Sequence, residues 1–174
     1  MTDGREHVAL VIGALIALVL QLAASPALAV GPAQPNFLAA YCVAVAVARP
    51  RSCGPVLPFV LGLAYDLAGG GPVGAMAFVL VLVTFVASRA MEVLNNDTLF
   101  MPLAILVASL VAVELLYGAL CLACGAGGSL ADALAYRALP CALYDCVAGL
   151  VAYPLAARFL AGRPLRHPGS PQLR

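Results

Sequence analysis

The chain has 174 residues, of which 64% are hydrophobic and only 10% charged. An ordinary soluble domain carries about 25% charged residues, so this chain lacks the polar side chains to coat a water-facing surface. Mean hydropathy is +1.03. Together these values exclude a soluble globular protein and point to an integral membrane protein. The net charge of +1 supplies no electrostatic footprint for nucleic acid, and all nine basic residues are arginine.

Uncharged runs punctuated by Gly, Pro and Arg predict six helical segments and an all-α integral membrane protein. A hydrocarbon core of ~30 Å needs roughly 20 helical residues. The first segment is 8–29 (Val8–Ala29). Its MTDGREH lead and the A-x-A at Ala27–Ala29 are reminiscent of a secretory signal. However, Asp3 and Glu6 offset the lone Arg5, and the apolar run is longer than a signal core, so it reads as an uncleaved span. The second segment, Phe37–Ala48, follows a PNF turn, and the third is Pro55–Ala68. Both are short, reaching ~18–21 Å at 1.5 Å per residue. They extend into apolar flanks, thin the bilayer, or pack as a shielded hairpin. Val73–Ser88, Leu99–Ala123 and Leu139–Leu160 complete the set. The expected organisation is therefore a tail over 1–7, a six-helix domain over 8–161 and a second tail over 162–174.

Six spans put both termini on one side. With a cytoplasmic N-terminus, Arg5, Arg49, Arg51, Arg89, Arg158, Arg163, Arg166 and Arg174 lie inside and only Arg137 outside. That distribution follows the positive-inside rule and predicts both termini in the cytoplasm of a multi-pass plasma-membrane protein. The cytoplasmic arginines read as orientation signals and anchors to anionic lipid.

Three acids fall inside the predicted spans: Asp66, Glu114 and Asp145. A charge at the bilayer centre costs roughly 2.5–3.5 kcal/mol on insertion scales, and no span carries Arg or Lys in its middle. Such acids are protonated, hydrogen-bonded to Tyr or backbone, or exposed to a polar pocket. Asp66 and Asp145 each follow a tyrosine, in YDLAG (Tyr65–Gly69) and YDCVAG (Tyr144–Gly149). They read either as interhelical clamps or as part of a ligand or partner site. AGGGPVG follows Asp66 directly; its glycines end a helix and Pro72 sits where the next begins. On this reading Asp66 caps or clamps a helix end so that the glycine turn holds one shape.

No nucleophile–base pair, zinc-ligand spacing or phosphate-binding loop accompanies the acids, so neither an enzyme nor a cofactor or metal site is expected. Cys121, Cys124, Cys141 and Cys146 lie near the predicted outer ends of the fifth and sixth spans. They read as small apolar packing residues, with a disulfide as the alternative.

Three stretches together resemble the rod shape-determining MreD family. PNFLAAYCVAVAVARPR is similar to the family's polar start to a short span followed by basic residues. LGLAYDLAGGGPVG matches its G-L-x-x-D-x-x-x-G-x-P-x-G pattern. LYDCVAGLVAYPLAARFL resembles its closing Tyr-Asp helix. The resemblance covers about residues 8–162. It carries over Asp66, Gly69, Gly71, Pro72 and Gly74 at the loop and Tyr144 and Asp145 in the last helix, with Glu114 added as the third buried acid. A histidine often found after the last loop glycine is here Met76, which puts in doubt any role needing that side chain. The resemblance implies a non-enzymatic scaffold of the cell-elongation (rod) complex, acting in cell shape and lateral peptidoglycan synthesis. Implied partners are MreC, a single-span protein with an extracytoplasmic coiled coil, and indirectly MreB filaments, a SEDS-type glycosyltransferase and a penicillin-binding protein. It also implies a fold similar to the substrate-binding subunits of energy-coupling-factor vitamin transporters. The alternative function is such a subunit, with a solute pocket lined by Asp66, Glu114, Asp145, Tyr65, Tyr117 and Tyr144.

Overall fold

The computed structural model describes residues 2–31, 33–69, 71–94, 100–125 and 138–159. Gly70, Leu99, Arg137, Leu160 and the 162–174 tail lie outside the described residues. Within them are six helices: α1 (Thr2–Ala23), α2 (Phe37–Ala48), α3 (Val56–Gly69), α4 (Ala75–Val93), α5 (Phe100–Ala123) and α6 (Leu139–Phe159). Each predicted segment has its helix. The largest shift is in α1, which starts six residues earlier than Val8. It ends at Ala23, and a single 3-10 turn over Pro26–Leu28 follows. Nothing in Thr2–His7 breaks a helix, whereas Pro26 cannot continue one.

By length and composition α1, α4, α5 and α6 can each cross a membrane, while α2 and α3 are shorter, at 12 and 14 residues. The shortness of α2 has a packing explanation. It is the central helix, in contact with all five others. Every residue from Leu38 to Val47 except Tyr41 is at most 1% exposed. Being apolar on every side, it needs no lipid-facing length, because neighbouring helices take the place of solvent. Its alternation of Ala with Val keeps it thin enough for several helices to approach.

The outer surface is inverted relative to a soluble protein. Val11, Ile12, Leu15, Ile16 and Val19 of α1, Phe78, Phe85 and Val86 of α4, and Leu143, Val147 and Val151 of α6 all stand exposed. Contiguous apolar surface of this kind in a folded chain belongs against lipid or protein. Polar side chains are instead drawn inward, among them Gln21, Ser25, Asn36, Asp66, Thr84, Ser109, Glu114 and Asp145.

α3 and α4 cross closely. A Cβ on Gly62 would lie 2.5 Å from Ala77 Cα, so this contact requires glycine. At the opposite end of the bundle from the glycine turn, Ser52 in the α2–α3 turn donates to Glu6 Oε1, and Tyr41 donates to Leu10 O at 2.7 Å. These bonds fasten α1 to the helix pair beside it.

Candidate functional site

The glycine turn supplies the first part of the site. Gly74 is the N-cap of α4, with φ +93°, a backbone conformation that side chains other than glycine rarely adopt. The first N–H groups of a helix have no intrahelical acceptor. Here the acceptor comes from the preceding helix. Asp66 Oδ2 accepts from Gly74 N at 2.9 Å, from Met76 N at 3.0 Å and from Ala77 N at 3.4 Å, and Oδ1 accepts from Met76 N at 3.2 Å. Asp66 is 1% exposed. Its carboxyl thus meets the start of α4 rather than the end of its own α3. It does so as an acceptor of backbone N–H groups rather than as an interhelical donor. A carboxylate needs no Lys or Arg when a helix N-terminus supplies both the N–H groups and the positive end of a dipole.

The loop residues divide by role. Pro72 O accepts from Ala75 N at 3.1 Å, closing the turn. An added Cβ on Gly71 would meet the Tyr117 hydroxyl, the far end of a side chain that would have to shift. Gly69, by contrast, faces open space and has an ordinary φ, so its geometry does not demand glycine.

The second aspartate does the same work at a different helix. Asp145 of α6 is fully buried, and its Oδ1 accepts from Asn36 N at 2.7 Å. Asn36 is the N-cap of α2, and its own Oδ1 accepts from Ala39 N at 3.0 Å. Phe37 N donates to Gln21 Oε1 of α1 at 2.7 Å. Gln21 and Ser25 in turn both donate to Pro35 O. So the N-terminus of the central helix is satisfied by side chains from α1, from α6 and from its own cap. A helix end buried inside a membrane protein has no water to turn to, which is why this density of partners is needed.

Glu114 of α5, 7% exposed, lies with its carboxyl against that of Asp145. Tyr65 and Tyr117 complete this polar core, with ring centroids 5.8 Å apart and planes at 85°. The structure thus brings together Asp145, Glu114, Tyr65 and Tyr117, with Asp66 one residue from Tyr65. It does not bring Tyr144 to them. Neighbouring residues on a helix point about 100° apart, and Tyr144 turns toward a groove of about 780 Å³ between α1, α2 and α6. The two Tyr-Asp pairs are therefore alike in their aspartates and unlike in their tyrosines.

The three acids are buried and do not line this groove. The groove is lined by Ile12, Ile16, Phe37, Tyr41, Tyr144 and Val151, among other apolar residues, and contains none of the three acids. Among the described residues no cluster of three His, Cys, Asp or Glu side chains is arranged to hold a metal ion. All six cysteines are free thiols, so the CLAC pair and Cys141 and Cys146 are unbridged. Asn36, Gln21 and Ser25 were not singled out by sequence reasoning. The PNF turn carries a signal for Asn36, since Asn before an apolar run is a favoured N-cap. Gln21 also donates to Ser25 Oγ one turn on, but its backbone partners at the start of α2 lie 14 and 16 residues away, beyond any local signal.

Fold and site together define an all-helical membrane protein in which two buried aspartates accept from backbone N–H groups at the starts of other helices. A model of the rod shape-determining protein MreD matches residues 5–162, and the chain belongs to the MreD family. The family acts in rod shape determination. No curated protein and no solved structure matches the chain.

Proposed function

We propose that the protein is a membrane scaffold of the cell-elongation complex, supporting lateral peptidoglycan synthesis by binding MreC and, through it, cell-wall synthases. The chain crosses the membrane six times with both termini in the cytoplasm, and the Asp66 turn and the start of α2 lie at the extracytoplasmic face. The reading rests on the family match over residues 5–162. One structural observation supports it over solute capture: Asp66, Glu114 and Asp145 are 1%, 7% and 0% exposed, and the two aspartates are occupied by backbone N–H groups. Buried polar groups of this kind are spent on holding the fold, which leaves shape and apolar surface as the means of recognition.

The test is affinity purification of the tagged protein from its own membranes in mild detergent, followed by mass spectrometry. Recovery of a single-span coiled-coil protein with cell-wall synthases is the expected result. Recovery of an ATPase pair with a large coupling subunit, or of a co-eluting vitamin, would overturn the proposal.

A further inference from the structure

We infer that Glu114 and Asp145 hold one proton between them, and that this shared proton joins α5, α6 and the N-terminus of α2 at a single buried point. Asp145 Oδ1 is satisfied by Asn36 N–H, but Oδ2 is buried and no donor among the described residues reaches it. A buried carboxylate oxygen without a donor carries a desolvation cost that native structures seldom leave unanswered. The group lying against Asp145 is the Glu114 carboxyl. If both were ionised, each would offer only acceptors to the other, in a setting that screens charge poorly. With one proton between them, one carboxyl becomes an O–H donor, the orphaned oxygen gains its bond, and the pair carries one negative charge instead of two. The Asn36 N–H and the positive end of α2 then face that remaining charge.

Among the described residues the surroundings supply no alternative counter-charge. From α3 the titratable group near the pair is Tyr65; from α5 it is Tyr117; from α6 they are Cys141 and Cys146. Each of these is uncharged when protonated. From α2 comes the Asn36 backbone N–H, and Asn36 Nδ2 in turn points to Met76 Sδ of α4 at 3.9 Å. Gln21 of α1 is neutral. Neither α2 nor α5 contains an arginine, and Arg158 of α6 is 13 residues from Asp145, about 20 Å along the helix. Removing the proton would place two like charges against each other, and α5 would be pushed away from the joint. The bundle is therefore expected to loosen at this point as pH rises.

The decisive measurement is infrared spectroscopy of the purified protein in detergent and heavy water, reading the C=O stretch of protonated carboxyl groups. At neutral pH the wild type should show this band, and the Glu114→Gln/Asp145→Asn double variant should lose it. Absence of the band in wild type, or its survival in the double variant, overturns the inference. Unfolding temperature provides a second readout. Glutamine at 114 brings its own N–H donor to an ionised Asp145. Glu114→Gln should therefore keep the neutral-pH stability and abolish the loss of stability on alkalinisation. Glu114→Leu should lower the unfolding temperature at neutral pH. If Gln lowers it as far as Leu does, a shared proton is not what joins these helices.

Discussion

Replacing Asp66 by leucine removes the acceptor for three N–H groups at the start of α4, on Gly74, Met76 and Ala77. Two of these bonds are short, and the third, at 3.4 Å, is marginal. A buried donor left without a partner costs about 1–3 kcal/mol, so the two good bonds alone put the loss at about 2–6 kcal/mol. Asparagine is a milder change. Its carbonyl oxygen in the Oδ2 position retains the contacts to Gly74, Met76 and Ala77. Its amide then replaces Oδ1, which Met76 N approaches at 3.2 Å. What is lost is the charge assistance, which roughly doubles the strength of such bonds, and the expected cost is about 1–2 kcal/mol. For a chain of this length 1 kcal/mol shifts the unfolding midpoint by about 2–4 °C. At the middle of these ranges Asp66→Asn should therefore lower it by about 4 °C and Asp66→Leu by about 10 °C. The assay is a heating series on a fluorescent fusion in mild detergent, scored by the monodisperse fraction surviving on size-exclusion chromatography. If asparagine proves as damaging as leucine, the negative charge rather than the acceptor geometry holds the turn, and the capping account is refuted.

Three further perturbations follow from the geometry. Gly62→Ala pushes a Cβ onto the Ala77 backbone, whereas Gly71→Ala meets only the tip of the Tyr117 side chain. Both overpack at about 1–3 kcal/mol, with Gly62 the worse. Tyr117→Phe should rescue Gly71→Ala in a double-mutant cycle on thermal stability, and strict additivity would show that the hydroxyl is not the obstacle. At an ordinary N-cap Asn and Asp are interchangeable, but Asn36→Asp sets a new carboxylate beside Asp145. It should destabilise the bundle more than Asn36→Ala, which costs about 1 kcal/mol; the reverse order in a chemical-unfolding series would contradict the buried-pair geometry. In the α2–α3 turn, burial pushes the Cys53 thiol up to about 11 from 9.0. The folded state then binds this proton more tightly than the unfolded one. Its contribution to stability is complete below pH 9 and is lost as pH rises toward 11. At mildly alkaline pH the thiolate fraction is roughly 100-fold below that of an unperturbed thiol, so native Cys53 should alkylate far more slowly than exposed Cys124. Equal rates by mass spectrometry would place Cys53 in open solvent.

Read in order, the residues themselves determined the class of protein and the positions of its helices. An apolar run bounded by Gly, Pro or Arg is a local signal, and helix formation in low dielectric depends on little beyond continuity of that run. Phe37–Ala48 is recovered to the residue, and α3 to α6 agree at their starts to within two residues. The three buried acids and the glycine turn were equally legible, because charge inside an apolar stretch and clustered glycine are features of composition. What each acid does was not legible. The Asp66 carboxylate serves residues eight to eleven positions away, on the next helix, and the Asp145 carboxylate serves Asn36 across 109 positions of chain. No spacing rule relates an acceptor on one helix to the N-terminus of another, since both the distance and the direction are set by packing. The same limit applies to the repeated Tyr-Asp pair. Its two copies read alike along the chain, yet Tyr65 packs edge-on against Tyr117 and Tyr144 lines the groove beside α1. Nor could sequence rank the short second segment among its alternatives. Its place at the centre of the bundle follows from five neighbours closing around an Ala–Val helix, and burial of that kind is a property of the assembly of helices rather than of any one of them.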